Sequence, residues 1–264
     1  MSRYGVLGWP VAHSRSPAMF AALGVAYQKL PVPPEVFDET VRALPAAGFS
    51  GANVTIPHKE AALALADHPT EQAQQIGAAN TLTFAGDGIH ADNTDAPGFL
   101  AALPIEPQTA LVLGAGGSAR AVVWALRSRD VDVRVWNRTP ERAAALGVEV
   151  VDRAVDADVL VNCTSIGLGN ASSQDVPTFK ALPLEPDELD GYACVVDLVY
   201  RPGGTDLERA AREQGITTVS GLEVLVQQGA LSYEMWMGRP ADRDAMRQAA
   251  QDFDAPSTAT DTDR

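Results

Sequence analysis

Residues 112–119 read Val-Leu-Gly-Ala-Gly-Gly-Ser-Ala, and no other run constrains the fold of this chain as tightly. The apolar stretch 110–113 is predicted as a strand. It runs into Gly114 and Gly116, with Ala119 at the third position of the pattern G-x-G-x-x-G/A, and a helix is predicted over 120–129. The residue types suit a phosphate cradle. One glycine makes the tight turn, the second lets the backbone approach a pyrophosphate, and a small third residue lets helix and strand pack closely. The helix N-terminus adds unpaired N–H groups for the phosphates. The loop Gly114, Ala115, Gly116, Gly117, Ser118 and Ala119 is therefore the expected dinucleotide site. Without its flanking strand and helix the same pattern reads as a plain turn.

A second predicted strand, 131–136, ends in Asn137-Arg138-Thr139. This is roughly 20 residues past the glycines, where an NAD-binding unit carries an Asp or Glu for the ribose 2′-hydroxyl. No acid stands there. The Arg138 guanidinium suits a 2′-phosphate through paired hydrogen bonds. The Asn137 amide and Thr139 hydroxyl are within reach of the same group, and Thr139 is also a candidate N-cap before Pro140. The position favours NADP over NAD.

The chain has 264 residues, 46% of them hydrophobic, which is enough for one large domain or two modest ones around a real core. Its formal net charge of −14 repels a nucleic-acid backbone, while leaving room for a basic pocket around one small anion. Cys163 and Cys194 have no metal-ligand spacing and form no disulfide framework. His13, His58, His68 and His90 are scattered, with no His-x-x-x-His pair, so no metal is expected. No signal peptide is expected from residues 1–30, and no apolar run is long enough to span a bilayer. A cytoplasmic protein without membrane or nucleic-acid partners is the expectation.

Only Lys29, Lys59 and Lys180 among the 20 basic residues are lysine; the rest are arginine. A lysine kept in such a background is of interest because it can lose its proton, as arginine cannot. Lys59 follows a predicted strand and a proline turn, which lets its amine project into a cleft.

Along the chain, strands are predicted over 4–8 and 51–56, helices from Ser16-Pro17 and over 60–66, and a hairpin from 80–84 and 88–93 around Gly86-Asp87-Gly88. Residues 103–108, with two prolines, read as a link. Strands at 110–113, 131–136, 148–151, 158–161 and 194–199 then alternate with helical patterns, which implies a parallel sheet covered on both faces. From 221 to 236 the chain reads as a long amphipathic helix, with Leu222, Leu225, Val226, Gly229 and Tyr233 along one side. Residues 257–264 are polar and acidic and read as a disordered tail.

Several ordered motifs carry a family resemblance. They are Gly8-Trp9-Pro10-Val11-Ala12-His13-Ser14-Arg15-Ser16-Pro17, Asn53-Val54-Thr55-Ile56-Pro57-His58-Lys59, Gly77-Ala78-Ala79-Asn80-Thr81 and Asn93-Thr94-Asp95. After the glycine loop come Asn137-Arg138-Thr139, Asn162-Cys163-Thr164-Ser165, Asp197-Leu198-Val199-Tyr200-Arg201-Pro202 and the stretch 221–228. Over nearly its full length the chain resembles the shikimate dehydrogenases. The resemblance implies an α/β fold with an N-terminal α/β substrate domain (1–102 with 221–256, the C-terminal helices returning to it) and a Rossmann-type doubly wound NADP-binding domain (103–220). It implies NADPH-linked, reversible reduction of 3-dehydroshikimate to shikimate in the chorismate pathway, by a monomer or homodimer.

The resemblance also assigns roles. Lys59 becomes the acid–base group, with Asp95 beside it on the substrate hydroxyl. Ser14 and Ser16, read as alternating on an extended stretch with Arg15 between them, take the substrate carboxylate. Two hydroxyls on one side grip a carboxylate without a buried cation. Ser16 is alternatively a helix cap. Thr55, Asn80 and Gln228 suit ring hydroxyls, and Tyr200 lines the cleft near the carboxylate. Thr164 and Ser165 join the cofactor set, with Gly221 against the nicotinamide amide. Departures from the family pattern are Trp9, Cys163, Asp206 after Thr205, and Val224. Trp9, nearest the serines, is expected to reshape the pocket rim. The rival readings are a quinate or quinate/shikimate dehydrogenase, often NAD-linked, and a non-catalytic NADPH-binding regulatory module on the same fold.

Overall fold

A computed structural model describes residues 2–168 and 178–252. The expected tail, 257–264, and residues 253–256 at the end of the expected first domain lie outside the described residues.

The first half builds one sheet from β1 (Arg3–Gly8), β2 (Tyr27–Pro31), β3 (Phe49–Val54), β4 (His68–Pro69), β5 (Thr81–Ala85) and β6 (Gly88–Asp92). Their spatial order is β2-β1-β3-β5-β6-β4. β1 pairs in parallel with β2 and β3, while β3-β5 and the β5-β6 hairpin are antiparallel. Helices α1 (Ser16–Ala22), α2 (Phe37–Ala43), α3 (Lys59–Ala64), α4 (Glu71–Ile76) and α5 (Asp95–Ala102) connect them. Phe37, Val41, Phe49, Val54 and Leu82 are among the residues of the core on this sheet.

The second half holds β7 (Thr109–Leu113), α6 (Gly117–Arg127), β8 (Asp132–Trp136), α7 (Pro140–Ala144), β9 (Glu149–Val150), β10 (Val159–Asn162), α8 (Thr178–Ala181), β11 (Cys194–Asp197), α9 (Asp206–Glu213) and β12 (Thr217–Ser220). The order is β12-β11-β10-β7-β8-β9, and every pairing is parallel. The sequence expectation of a parallel α/β sheet is met. β10 and β11 are buried along their whole length, as a sheet covered on both faces requires. The chain leaves β7 towards β8 on one side and returns on β10 on the other. The crevice at the carboxyl ends of β7 and β10 is thus a topological switch point, the place where open α/β sheets bind ligands.

β12 runs directly into α10 (Gly221–Met237), followed by α11 (Arg243–Asp252). As expected, α10 returns to the first half. Val226, Ala230 and Tyr233 pack with Met19 and Phe20 of α1 and with Met246 and Ala250 of α11. Gly98 lets α5 and α10 meet backbone to backbone: a Cβ there would lie 2.7 Å from the Gln228 amide nitrogen. That approach fixes Asp95, at the head of α5, relative to Gln228.

Four local readings are corrected. The nucleotide-side helix begins at Gly117, not Arg120, and ends at Arg127. Lys59 opens its helix instead of preceding it. Ser14 and Ser16 do not alternate on an extended strand: Ser14 N–H closes a turn onto Val11, Arg15 has helical backbone angles, and Ser16 is the first residue of α1. Finally, His68 and His90 are not scattered, because β4 pairs with β6 and places them opposite one another.

Candidate active site

Both sheets aim their carboxyl ends at one cleft of ≈ 200 Å³ between the halves. Lys59 reaches it from the first residue of α3, which follows β3, and Asp95 from the first residue of α5, which follows β6. Lys59 Nζ donates to Asp95 Oδ2 at 2.7 Å and to Ser118 Oγ, across the cleft in the first turn of α6, at 2.9 Å. The two charged side chains are only 11% and 17% exposed, so this contact is shielded from water. The opposite oxygen, Asp95 Oδ1, accepts from Asn80 Nδ2 at 2.9 Å, and the same amide donates to Gln228 Oε1 at 3.1 Å. Asn80 Oδ1 in turn accepts from the Thr94 backbone N–H at 2.7 Å. The carboxylate is therefore held in one orientation, with one oxygen for the lysine and one for the amide. The helix start helps: an acid at the first position of α5 complements the helix dipole.

Ser14 and Ser16 are buried, and their hydroxyl oxygens stand 3.3 Å apart on the cleft wall. The capping alternative for Ser16 falls away, since the cap position is Arg15 and no side-chain hydroxyl caps α1. Arg15 does not reach between the serines. Its guanidinium donates to the Ala250 carbonyl at 3.1 Å and lies over the Tyr200 ring, 5.3 Å from its centroid. Tyr200 and Thr55 line the cleft as expected. Burial pushes the Tyr200 phenol up, with Arg15 acting against it, so the ring presents a neutral hydroxyl.

On the nucleotide side the glycines behave as the pattern requires. Gly114 has φ of 110°, a conformation that disfavours any side chain. A Cβ at Gly116 would meet nothing within 4 Å, so no packing demands glycine there and the space is free for a ligand. Ala119 is fully buried between α6 and the sheet. No side chain caps α6, whose first N–H groups face the crevice beside Ser118. Gly114 N–H donates to the Trp136 carbonyl at 2.7 Å, which sets Asn137, Arg138 and Thr139 beside the loop. These three do not line the cleft with Lys59. They form a separate lobe, where Arg138 is exposed and, among the described residues, forms no ion pair. Thr139 holds the cap position of α7, yet its hydroxyl makes no capping bond. These residues fit a phosphorylated dinucleotide: an open backbone cradle, uncapped N–H groups and a free guanidinium.

Gly221, Thr164 and Ser165 line the cleft. A Cβ on Gly221 would fall 2.3 Å from the Leu198 carbonyl oxygen, so glycine is required by close packing as well. The Thr164 hydroxyl donates to Asn162 Oδ1 at 2.7 Å and shapes its loop, leaving Ser165 as the freer hydroxyl. Asp197 ties the same strand ends together, accepting from Asn162 Nδ2, Val199 N–H and Thr205 Oγ1. Burial pushes its carboxyl up to about 7 despite those three donors.

Sequence reasoning missed part of the machinery. Asn53 lines the cleft and bonds Tyr27, Thr81 and Ser232, forming a buried polar floor with Thr94. Ser232 lies one helical turn beyond Gln228, a spacing that could have revealed it. Glu60 was also missed. It faces Arg120 at 3.5 Å and Arg142 at 4.0 Å, both from the second half. Among the departures, Trp9 is exposed and is not among the residues lining the cleft, although its backbone N–H donates to the carbonyl of Ile56, which is. Cys163 and Val224 do line it. Burial pushes the Cys163 thiol far up, so it is an inert wall. Asp206 opens α9 beside the Thr205–Glu208 capping box. A larger hollow, ≈ 410 Å³ between α4 and α6, has no acid in its lining and so no paired acid and base, unlike the smaller cleft.

Comparison with known proteins agrees with this geometry. The family profile described as shikimate dehydrogenase substrate binding domain matches residues 6–82, and the shikimate 5'-dehydrogenase C-terminal domain matches 221–251. The chain is 44% identical over 268 residues to an NADP(+) shikimate dehydrogenase of Thermus thermophilus, covering 95% of this chain and 98% of that one. It is 45% identical to the Paracoccus denitrificans enzyme of the same name, covering 93% and 94%. The crystal structure of a Thermus thermophilus shikimate 5-dehydrogenase, in complex with NADP(H) and shikimate, superposes with a TM-score of 0.83 at 41% identity, covering 95% of this chain and 99% of that one.

Proposed function

The chain belongs to the shikimate dehydrogenase family, and on that premise we propose that its cleft carries out the reversible, NADPH-dependent reduction of 3-dehydroshikimate to shikimate. The observation that carries the assignment is the Lys59 amine, held between Asp95 of one half and Ser118 of the nucleotide loop. A proton-transferring group thus stands where substrate and dinucleotide must meet.

Bound NADPH supplies the hydride to the ring ketone. Lys59 Nζ gives the proton to the ketone oxygen as it becomes a hydroxyl, and takes it back in the reverse direction. Asp95 holds the amine and accepts from the neighbouring substrate hydroxyl. Ser14 and Ser16 hold the carboxylate at the far end of the ring, with Tyr200 closing over it. Asn80, Thr55 and Gln228 read the remaining hydroxyls. A ligand lacking one of those hydroxyls leaves a buried polar group unpaired, which discriminates strongly. Gly114 to Ala119 and the head of α6 receive the pyrophosphate, Asn137, Arg138 and Thr139 the 2′-phosphate, and Thr164, Ser165 and Gly221 the nicotinamide end. The division into a substrate-binding unit (1–102 with 221–256) and a nucleotide-binding unit (103–220) is supported by the two sheets meeting at the 103–108 link and by α10 crossing back.

Initial rates with shikimate and quinate, each with NADP and NAD, test the assignment. The expected result is turnover dominated by shikimate with NADP. Turnover confined to quinate with NAD would refute it, and no turnover with any pair would favour a regulatory module.

Glu60 yields a second expectation. Its two carboxylate oxygens face Arg120 and Arg142, and Arg142 lies one turn along α7 from the proposed 2′-phosphate lobe. Removing a carboxylate that partly neutralises two arginines beside a doubly charged phosphate is worth on the order of 1 kcal/mol at an exposed site. Glu60→Gln should therefore tighten NADPH binding about two- to fivefold at low salt, with the gain shrinking as salt rises. Fluorescence titration with NADPH and NADH checks it. An equal change for both cofactors would show that Glu60 acts on something other than the phosphate.

A further inference from the structure

We propose that His68, Asp87 and His90 form a divalent transition-metal site on the outer edge of the first sheet, separate from the catalytic cleft. The register of β4 against β6 puts His68 and His90 directly opposite each other, so their side chains leave the sheet on the same face. Their rings stand 4.7 Å apart, tilted by 34°. Asp87, at the tip of the β5-β6 hairpin, turns its carboxylate between them. One oxygen lies 2.9 Å from His90 Nε2 and the other 3.8 Å from His68 Nε2. All three ligand atoms fall within 4.8 Å of one another. Ligand atoms held about 2.1 Å from a tetrahedral ion stand about 3.4 Å apart, so small side-chain rotations complete the triad.

The backbone beneath these side chains is already fixed. Asp67 N–H donates to the Ile89 carbonyl at 2.9 Å, and Asp67 Oδ2 accepts from Ile89 N–H at 2.9 Å. Thr70 repeats the arrangement two residues on from His68, bonding the Ala91 carbonyl and Asp92 Oδ1. Binding an ion costs side-chain freedom and replaces two contacts, His68 Nε2 with the Asp87 carbonyl at 3.1 Å and His90 Nε2 with Asp87 Oδ1 at 2.9 Å. The three side chains are 47%, 63% and 41% exposed, which leaves an open entry path and room for water at the remaining positions. Two imidazoles and one carboxylate select Zn²⁺, Ni²⁺ or Co²⁺ over Mg²⁺ or Ca²⁺, which want oxygen ligands. The chain's net charge of −14 adds a general attraction for cations.

None of the three residues lines the cleft. The ion would act as a clip, fastening the two-residue edge strand β4 to the hairpin that leads into Asp95. Its chemical role is structural, and it takes no part in hydride transfer.

Calorimetric titration of the full chain, free of added histidines, with ZnCl₂ and separately with MgCl₂ tests this. One equivalent of Zn²⁺ is expected to bind and raise the melting temperature, while MgCl₂ gives no binding. In His68→Gln and in His90→Gln the Zn²⁺ affinity should fall about tenfold or more. Both variants should keep wild-type metal-free turnover, which certifies their fold. Zn²⁺ binding of unchanged affinity in the two variants, or no binding to the wild type up to about 1 mM Zn²⁺, would overturn the proposal.

Discussion

Replacing Lys59 by alanine lowers kcat by about three orders of magnitude while leaving NADPH binding within a fewfold of wild type. General acid–base groups contribute about 10²–10⁴ in rate, and Lys59 is the amine in the cleft nearest a group able to hold it in place. Its removal deletes the proton donor but leaves Asp95 anchored by Asn80 at 2.9 Å, so the substrate pocket keeps its shape. The nucleotide side loses the Lys59–Ser118 bond, worth about 1.5–3 kcal/mol with a charged donor, and the packing of the lysine stem on Gly117, while the backbone of the loop is unchanged. Lys59→Arg separates two explanations. If the amine served only as a positive charge, arginine would substitute for it. Arginine holds its proton throughout the usable pH range, so the variant should remain as slow as the alanine one. Steady-state kcat with NADPH titrations on both variants decides the matter. A kcat within tenfold of wild type in Lys59→Ala would remove the lysine from the reaction.

What the sequence made legible follows from what each element buries. β10 and β11 are buried throughout and show as continuous apolar runs, so the parallel sheet and its crevice could be read directly. Of the edge strands, β9 was legible at 148–151, but β12 and β2 were not. β12 carries two threonines and is only partly buried, and β2 ends in a proline with no residue fully buried. At an edge, one side needs no apolar partner, and the signal fades. The start of α6 was misplaced because glycine is the poorest ordinary helix former, and Gly116-Gly117 reads as loop. Glycine stands at this helical position because Lys59 fills the space: a Cβ there would sit 2.8 Å from Lys59 Cβ. That constraint comes from the other half of the molecule. The same holds for the polar floor of Asn53, Thr81, Thr94 and Ser232, whose members come from β3, β5, the turn before α5 and α10. Each alone is an ordinary polar residue; only the returning helix brings them together. The pairing of His68 with His90 depends on strand register, which spacing along the chain does not encode.

Arg138→Ala should raise the KM for NADP about 10- to 100-fold and leave that for NAD nearly unchanged. A charge-assisted pair to a phosphate is worth about 1.5–3 kcal/mol, and each 1.4 kcal/mol is a factor of about ten. Exposure of the guanidinium puts the expected value towards the lower end, since water partly screens the pair. Two features argue against compensation. Arg142, the cation four residues on, is turned towards Glu60, and the Asn137 amide donates to the Thr139 carbonyl at 2.8 Å. Neither is poised to replace a two-pronged contact. NAD lacks the phosphate, so its binding depends on the glycine loop and the nicotinamide end, which Arg138 does not touch. The signs of the two charge changes then oppose each other: removing a cation at Arg138 weakens NADP, whereas removing an anion at Glu60 strengthens it, and both effects diminish with salt. A general loosening of the fold would move both variants the same way and would affect NAD equally. The ratio of kcat/KM for NADP to that for NAD, measured for each variant at two ionic strengths, separates the cases. An unmoved ratio in Arg138→Ala would place the 2′-phosphate elsewhere than the lobe after β8.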